Sequence, residues 1–337
     1  LFSFVVFAAA TRWFYIIDQY SVNILFYDHW DLYNQFFDEN DALWGLYNLQ
    51  HGPHRQGIGF ILTKYIDQVS GWNTRWISFT IGILIALTSG VYLVIKRKIT
   101  NCLSILDSTI IMLVLTPMQF GTFANTPNIS HGAMPVFLIC LFCLSIFIRN
   151  TTKKLSLIVL LNFLVMFSGF GLILGFITPV ILLFECWKLW HQKLDKWIGI
   201  GAFFLSCLTV YLFFINYRMA TANPTFKFPH DKPLEYLLFI KEMIKQALNL
   251  RSFIGEIIAW SVLLISSYAL SFSIFSFFKR TSKNQAFIQL VIITLVSFSS
   301  IFALFTAVGR VSIGIDAAGA SRYVPYMIPG LMGTYLY

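Results

Sequence analysis

Long apolar blocks alternate with short polar segments along this chain. Blocks that approach the length of a membrane-spanning helix lie at 1–17, 74–95, 103–116, 132–148, 197–215, 253–278, 285–306 and 324–337. A helix needs about 20 apolar residues to cross a bilayer, so several of these blocks are short. The pattern predicts an all-α polytopic membrane protein in which several helices are short or broken.

The apolar block at 155–187 is too long for one span and rather short for two. Its centre reads Ser168-Gly169-Phe170-Gly171, and glycine pairs in membrane helices occur mainly at breaks or close contacts. Four short basic loops lie elsewhere, at 96–98, 149–154, 188–196 and 279–283. All four lie on one side only if the chain turns back at Ser168–Gly171. The positive-inside rule therefore favours a hairpin, cytoplasmic basic loops and about ten crossings.

The composition supports the same class of protein. Hydrophobic residues make up 57% of the 337 residues and charged residues only 12%, whereas soluble domains carry about 25% charged residues. The basic loops explain much of the net charge of +9, so we do not expect nucleic acid as a partner. We expect a single transmembrane domain over 1–337. Its apolar start at Leu1, without an initiating Met, predicts a fragment truncated at both ends.

The face opposite the basic loops holds most of the candidate chemistry. It receives the segments 18–73, 117–131, 217–252 and 307–323. The first segment contains seven of the 15 carboxylates and only two basic residues, Arg55 and Lys64. We expect this large extracytoplasmic loop to carry the active site.

The segment from Leu234 to Asn249 has its polar and apolar residues on opposite arcs of a helix. Such a helix can lie in the membrane interface, or it can pack on neighbouring spans. The sequence leaves both arrangements open.

Two carboxylates near the start of the first loop are the candidate catalytic residues. Asp28 and Asp31 are three residues apart and share a face if the segment is helical. His29 and Trp30 lie between them, and an indole ring suits a sugar ring or the headgroup boundary. We expect these two carboxylates to have a functional role, and an ordinary solvated, acidic external loop is the structural alternative.

Basic side chains cluster later in the same loop. Pro53 disfavours a helix at His51–Arg55 and favours an extended or turned segment that could hold His51, His54 and Arg55 around one anion. Ion pairing of Arg55 with a loop carboxylate is the structural alternative. No cofactor is firmly indicated. A divalent metal held by these histidines and an Asp is left open, because the spacing specifies no geometry.

A last candidate lies directly before the final apolar block. Arg322, with Tyr323 beside it, would sit at the membrane surface, where an arginine can hold a phosphate through two parallel hydrogen bonds. Snorkelling of Arg322 to lipid headgroups is the structural alternative.

The order of these elements resembles uncharacterised bacterial members of the GT-C superfamily of integral membrane glycosyltransferases. The matching residues are Asp28-His29-Trp30, His51-Gly52-Pro53-His54-Arg55 and Ser321-Arg322-Tyr323. The related sequences tend to have a second acid in each of the first two elements, where this chain has His29 and Pro53.

The resemblance implies a bacterial inner-membrane enzyme that works on the extracytoplasmic face. It would transfer a sugar with inversion from a polyprenyl-phosphate donor to a glycan or lipid acceptor. Asp28 or Asp31 would be the base. The binding residues would be His29, Trp30, His51, His54, Arg55, Arg322 and Tyr323.

Two alternatives to this function are open. A transporter or flippase of lipid-linked saccharide would perform no chemistry, but it usually places polar residues near the bilayer midplane and shows repeated halves, and neither feature is evident in the sequence. An acyl- or phosphotransferase would use similar His, Asp and Arg residues.

Overall fold

The computed structural model describes residues 1–26, 29–37, 42–125, 128–188, 193–218, 226–279 and 282–337. Regular structure in these ranges is nearly all helical, as the apolar blocks predict. The elements are α1 (Phe2–Tyr20), α2 (His29–Asn34), α3 (Leu43–Asn48), β1 (Gln50–His51), β2 (His54–Arg55), α4 (Gly57–Val69), α5 (Arg75–Thr100), α6 (Ser108–Val114), α7 (Ala133–Ser145), α8 (Thr151–Met166), α9 (Leu172–Lys188), α10 (Lys193–Phe214), α11 (Leu234–Ala247), α12 (Phe253–Phe278), α13 (Lys283–Arg310) and α14 (Val324–Leu336).

Five helical segments in the described ranges are long and apolar enough to cross a bilayer. They are Arg75–Thr100, Gly169–Trp187, Asp195–Phe214, Phe253–Phe278 and Asn284–Ile313. The chain is therefore a helical protein with membrane-spanning character. The predicted block at 103–116 contains only the short helix α6, which ends shortly before Pro117, since proline disfavours helical geometry in the residue that precedes it.

The ambiguous block at 155–187 consists of two helices that pack on each other, as the basic loops predict. α8 ends at Met166, and a 3₁₀ turn at Gly169–Gly171 leads into α9. Gly169 has a φ of +50°, and a Cβ at this position would lie 2.6 Å from the carbonyl oxygen of Ser130. Glycine is required here because a side chain would be both strained and in collision.

A buried ion pair closes the other end of this hairpin. Lys154 on α8 pairs with Glu185 on α9, and each side chain is only 8% exposed. The ammonium group also lies 5.2 Å from the ring centroid of Phe287 on α13. These contacts join α8, α9 and α13 at the end that carries the basic loops.

The amphipathic segment 234–249 forms α11 and packs on neighbouring helices. Its apolar face, which includes Phe239 and Met243, is buried against α12, α13, α14 and the α13–α14 connection. On its polar face, Lys241 and Lys245 both pair with Glu256 at the start of α12. Of the two arrangements that the sequence leaves open, the structure has the packed one.

The side chain of Ser299 on α13 joins this helix to α14 by inserting its hydroxyl group between two backbone groups of α14. The Ser299 hydroxyl donates to the carbonyl oxygen of Tyr326 at 2.7 Å and accepts from the backbone N–H of Gly330 at 2.7 Å. It thus bridges the helical hydrogen bond that would otherwise join Tyr326 to Gly330, next to Pro329. This bridge holds the first turns of α14 in place and with them Tyr326.

Candidate functional site

One end of the helical bundle encloses a cavity of about 550 Å³. Its walls come from the β1–β2 hairpin, the α6–α7 connection, the α8–α9 turn, the residues after α10 and the α13–α14 connection. All of these belong to the face that the sequence predicts to lie opposite the basic loops. The described polar side chains that line it are His51, His54, Thr122, Asn128, His131, Tyr217, Thr306, Arg310, Arg322, Tyr323 and Tyr326.

The hairpin places its two histidines on one face. His51 pairs with His54 across the strands, and Gln50 pairs with Arg55. Gly52 begins the two-residue loop with a φ of +60°, the conformation that such loops favour at this position. Paired residues share a face of a hairpin, and consecutive residues alternate. His51 and His54 therefore face the cavity. Gln50 and Arg55 face the end of α10.

His54 is the most deeply buried of the cavity histidines. Its side chain is 6% exposed, and its ring centroid lies 4.2 Å from that of His131 and 5.0 Å from that of Phe170. Neither ring nitrogen has a hydrogen-bond partner among the described residues. Burial, reinforced by His131 and His51, holds the pKa of His54 well below its usual value. The ring is therefore neutral at neutral pH and has an unused donor and an unused acceptor.

Two arginines of the α13–α14 connection also line the cavity. Arg310 ends α13, and Arg322 lies in a 3₁₀ turn at Ser321–Tyr323. Both arginines are exposed, and neither has an ion pair within the described part of the chain. The guanidinium of Arg322 lies 5.4 Å from the ring centroid of Tyr323, which is buried. These two cations are therefore available to an anionic ligand.

The turn that carries Arg322 is attached to the α6–α7 connection. The backbone N–H of Gly121 donates to the Ser321 hydroxyl at 3.2 Å. Gly121 begins a π-helical turn at Gly121–Asn125, a wide form of helix that is frequent at functional sites. This hydrogen bond sets the position of Arg322 relative to the cavity wall.

Tyr326 holds the next part of the wall together. Its hydroxyl accepts a hydrogen bond from the backbone N–H of Gly132 at 2.9 Å, and its ring centroid lies 4.6 Å from that of Phe302. Gly132 has a φ of +74°, and a Cβ there would lie 2.6 Å from the Thr122 side chain. Only glycine allows this close approach, so the chain beside His131 is fixed in one conformation.

The side chains of the described cavity lining that can carry a charge at neutral pH are all basic. None of the described lining residues is acidic, while two are arginines and three are histidines. In the described ranges, no three His, Cys, Asp or Glu side chains come close enough together to hold a metal ion. The arrangement suits an anion that is bound by side chains.

Arg55 does not line this cavity. Its Nε donates to the carbonyl oxygen of Phe213 at 2.9 Å and its Nη2 to that of Ile215 at 2.6 Å, while Nη1 donates to the carbonyl oxygen of Asn48. The side chain is only 2% exposed. The carbonyls at a helix C-terminus attract a cation, so Arg55 joins the hairpin to the end of α10. The structure therefore separates Arg55 from His51 and His54.

The first-loop candidates lie on α2, apart from the residues that line the cavity. Asp31 is exposed, Trp30 is 60% exposed, and His29 is buried with its Nδ1 accepting from the backbone N–H of Phe26 at 3.1 Å. Asp28, the other candidate base, lies outside the described residues. Asp31, Trp30 and His29 do not meet His54 and Arg322 in one wall.

Sequence reasoning missed seven of the described polar residues that line the cavity, among them His131, Arg310 and Tyr326. His131 lies in a predicted external segment, and a histidine there is a usable signal. Arg310 and Tyr326 flank the predicted Arg322 element at a distance of 12 and four residues. Their convergence depends on how α13 and α14 pack, which the sequence pattern does not reveal.

Comparison of the chain with protein-family models, with curated proteins and with solved structures found no match. The site geometry therefore has to support any functional conclusion.

Proposed function

We propose that this chain is an integral membrane glycosyltransferase that takes its sugar from a polyprenyl-phosphate donor. The observation that carries the proposal is the lining of the cavity, which has arginines and histidines and, among its described residues, no acid. A phosphate group seated there would meet donors and positive charge. The same groups would stabilise the charge that develops on the phosphate when it leaves.

The apolar part of the cavity supports a lipid as the carrier of that phosphate. Leu172, Ile173 and Phe305 line it together with the polar residues, and Phe305 is 60% exposed on α13. Leu304 beside it is 47% exposed. An exposed apolar surface of a membrane helix faces lipid, so a prenyl chain could remain in the bilayer while its phosphate enters the cavity.

A first-loop carboxylate, Asp28 or Asp31, is the proposed general base on the acceptor hydroxyl. The hydroxyl oxygen would attack the anomeric carbon as its proton passes to the carboxylate, and the bond from that carbon to the phosphate oxygen would break. The anomeric centre would be inverted. His51, His54, Arg322 and Tyr323 are the proposed donor contacts, and the exposed Trp30 is the proposed contact of the loop with the acceptor.

The proposed topology follows from the distribution of charge. With the basic loops in the cytoplasm, the cavity opens on the extracytoplasmic face of a bacterial inner membrane, and the chain crosses it about ten times. The five long apolar helices provide part of these crossings. The shorter helices, such as α7, α8 and α14, provide the rest.

The test uses the chain in lipid nanodiscs with a radiolabelled farnesyl-phosphoryl hexose and a set of glycan and lipid acceptors. We expect transfer of the labelled sugar and loss of that transfer in Asp28→Asn or Asp31→Asn. Asp18→Asn is the matched control, because Asp18 forms a surface ion pair with Arg75. Full transfer in both loop variants would exclude these bases. Movement of intact donor across a sealed vesicle, without cleavage, would favour the transporter instead.

A further inference from the structure

His54 is a buried polar group without a hydrogen-bond partner among the described residues. It is 6% exposed, lines the cavity, and has no described hydrogen-bond partner for either ring nitrogen. An unpaired buried polar group costs free energy, so a position like this is stable only if a ligand or other role compensates. The ring is therefore oriented for something that enters the cavity.

The two histidines beside His54 disfavour a charge on it. The ring of His131 lies edge-on to that of His54, with 4.2 Å between the ring centroids, and His51 lies opposite His54 in the hairpin. The remaining charged or titratable residues of the described lining are Arg310, Arg322, Tyr217, Tyr323 and Tyr326. With no acidic residue in that lining, nothing there stabilises an imidazolium ion.

An anion bound in the cavity would instead favour a positive charge on His54. Its negative charge would replace the missing counter-ion and would accept a hydrogen bond from a protonated ring. We propose that the cavity takes up one proton together with its anionic ligand and that the imidazole of His54 holds this proton. The inference rests on the proposed function, because it takes the phosphate of the donor as that anion.

The direction of the pH dependence follows from linkage. The pKa of His54 lies well below its usual value in the free protein, and a bound anion would raise it. Between these two pKa values the complex holds one proton more than the free protein. Affinity then rises about tenfold for each unit by which the pH falls. Above the higher pKa and below the lower one, the affinity is independent of this group.

The probe has to be an anion that does not titrate itself. A farnesyl phosphodiester of a hexose meets this condition, because a phosphodiester keeps its single negative charge throughout the range from about pH 5 to about pH 8, whereas a phosphomonoester titrates near pH 6. Titration calorimetry in nanodiscs of zwitterionic lipid, repeated in two buffers with different ionisation enthalpies, measures the number of protons taken up.

We expect uptake that approaches one proton per bound phosphodiester as the pH falls, and an affinity that rises in parallel. His54→Asn keeps a hydrogen-bonding side chain but removes the titratable ring, so its proton uptake should fall and its pH dependence should flatten. His230→Asn is the matched control, because His230 lies outside the cavity lining, and it should behave like the unmodified chain.

The wild-type titration alone decides the inference, whether or not His54→Asn folds. Binding of the phosphodiester without proton uptake at any pH would overturn the inference and leave the proposed function intact, since a neutral His54 would then serve as an ordinary hydrogen-bond donor. Failure to bind the phosphodiester at any pH would overturn the proposed function and the inference with it.

Discussion

Two neighbouring basic residues on opposite faces of the β1–β2 hairpin differ in their hydrogen bonding. All three side-chain nitrogen atoms of Arg55 donate hydrogen bonds to the backbone carbonyl groups of Asn48, Phe213 and Ile215. His54, one residue earlier, has no described partner for its ring and lies on the cavity. Both side chains are almost completely buried, yet each of the three nitrogen atoms of Arg55 donates a hydrogen bond and neither ring nitrogen of His54 has a described partner.

The contrast distinguishes a buried side chain that stabilises the fold from a buried side chain that is available to a ligand. A buried charge that is surrounded by fixed acceptors stabilises the fold and has little capacity left for a ligand. A buried polar ring without partners costs free energy and keeps its capacity for whatever enters. The strand alternation that divides the two residues is a local rule, but the environment on each face comes from distant helices. Four substitutions test the comparison, from the largest expected effect to the smallest.

Arg55→Ala should produce the largest loss of stability. It leaves three carbonyl groups without a donor and detaches the hairpin from α10, and we expect the free energy of unfolding to fall by about 3 kcal/mol or more. Arg55→Lys, which keeps the charge but cannot reach all three acceptors, should lose less. Thermal unfolding in detergent measures both. An Arg55→Ala chain as stable as the unmodified chain would show that these hydrogen bonds are not needed.

His54→Leu should have the opposite effect on stability. It replaces an unpaired polar ring by an apolar side chain of similar size, and we expect a gain of about 1 kcal/mol. Binding of the farnesyl phosphodiester should weaken by about tenfold or more in the same variant, because a charged hydrogen bond is lost. Melting temperature and calorimetry give the two readings. A loss of stability comparable with that of Arg55→Ala would remove the contrast between the two faces.

Arg322→Gln should weaken phosphodiester binding by about tenfold and leave the melting temperature unchanged, because the side chain is exposed and its guanidinium has no acidic partner in the described chain. The dependence of affinity on salt should also decrease. Arg251→Gln removes an exposed arginine that does not line the cavity and is the control. Equal effects of the two variants would mean that only the overall charge of the surface matters.

Asp67→Asn should have the smallest effect on binding of the phosphodiester, and its effect on stability should depend on pH. Asp67 on α4 is completely buried, and desolvation raises its pKa from 3.8 to about 6. Since the folded chain holds the proton more tightly than the unfolded chain, the unmodified protein loses stability as the pH rises through that window. The Asn variant should therefore melt higher above about pH 6 and equally at about pH 4. A difference that does not change with pH would contradict this assignment.

Asp67 is a third buried group that can be compared with His54 and Arg55. It lies in the same first loop and is as deeply buried as His54 and Arg55, but it does not line the cavity. Its raised pKa, which reflects burial, is therefore expected to affect stability without affecting binding of the phosphodiester. Burial alone thus does not identify a ligand contact.

Several elements could be read directly from the sequence. The break in the block at 155–187 followed from Gly169 and the basic loops, and the turn at Gly52–Pro53 followed from its proline. Both depend on backbone properties of single residues and on one statistical rule of membrane insertion. The orientation of the chain and the number of crossings remain predictions of that rule.

The composition of the cavity could not be predicted in the same way. Arg322, His51 and His54 were candidates from local patterns, whereas Arg310, His131 and Tyr326 come to the same cavity through the packing of α7, α13 and α14. The placement of Asp28 lies outside the described residues, so its role as the base rests on the sequence and on the resemblance.

The sequence by itself determined that this is a helical protein with membrane-spanning character, where its main helices lie, and that seven of its 15 carboxylates lie at 18–73. Those conclusions depend on hydrophobicity, helix length and charge, which are properties of contiguous residues. Only the tertiary structure decided that His54 faces a cavity while Arg55 is bound to carbonyls, because each environment is built from helices more than 70 residues away in the chain.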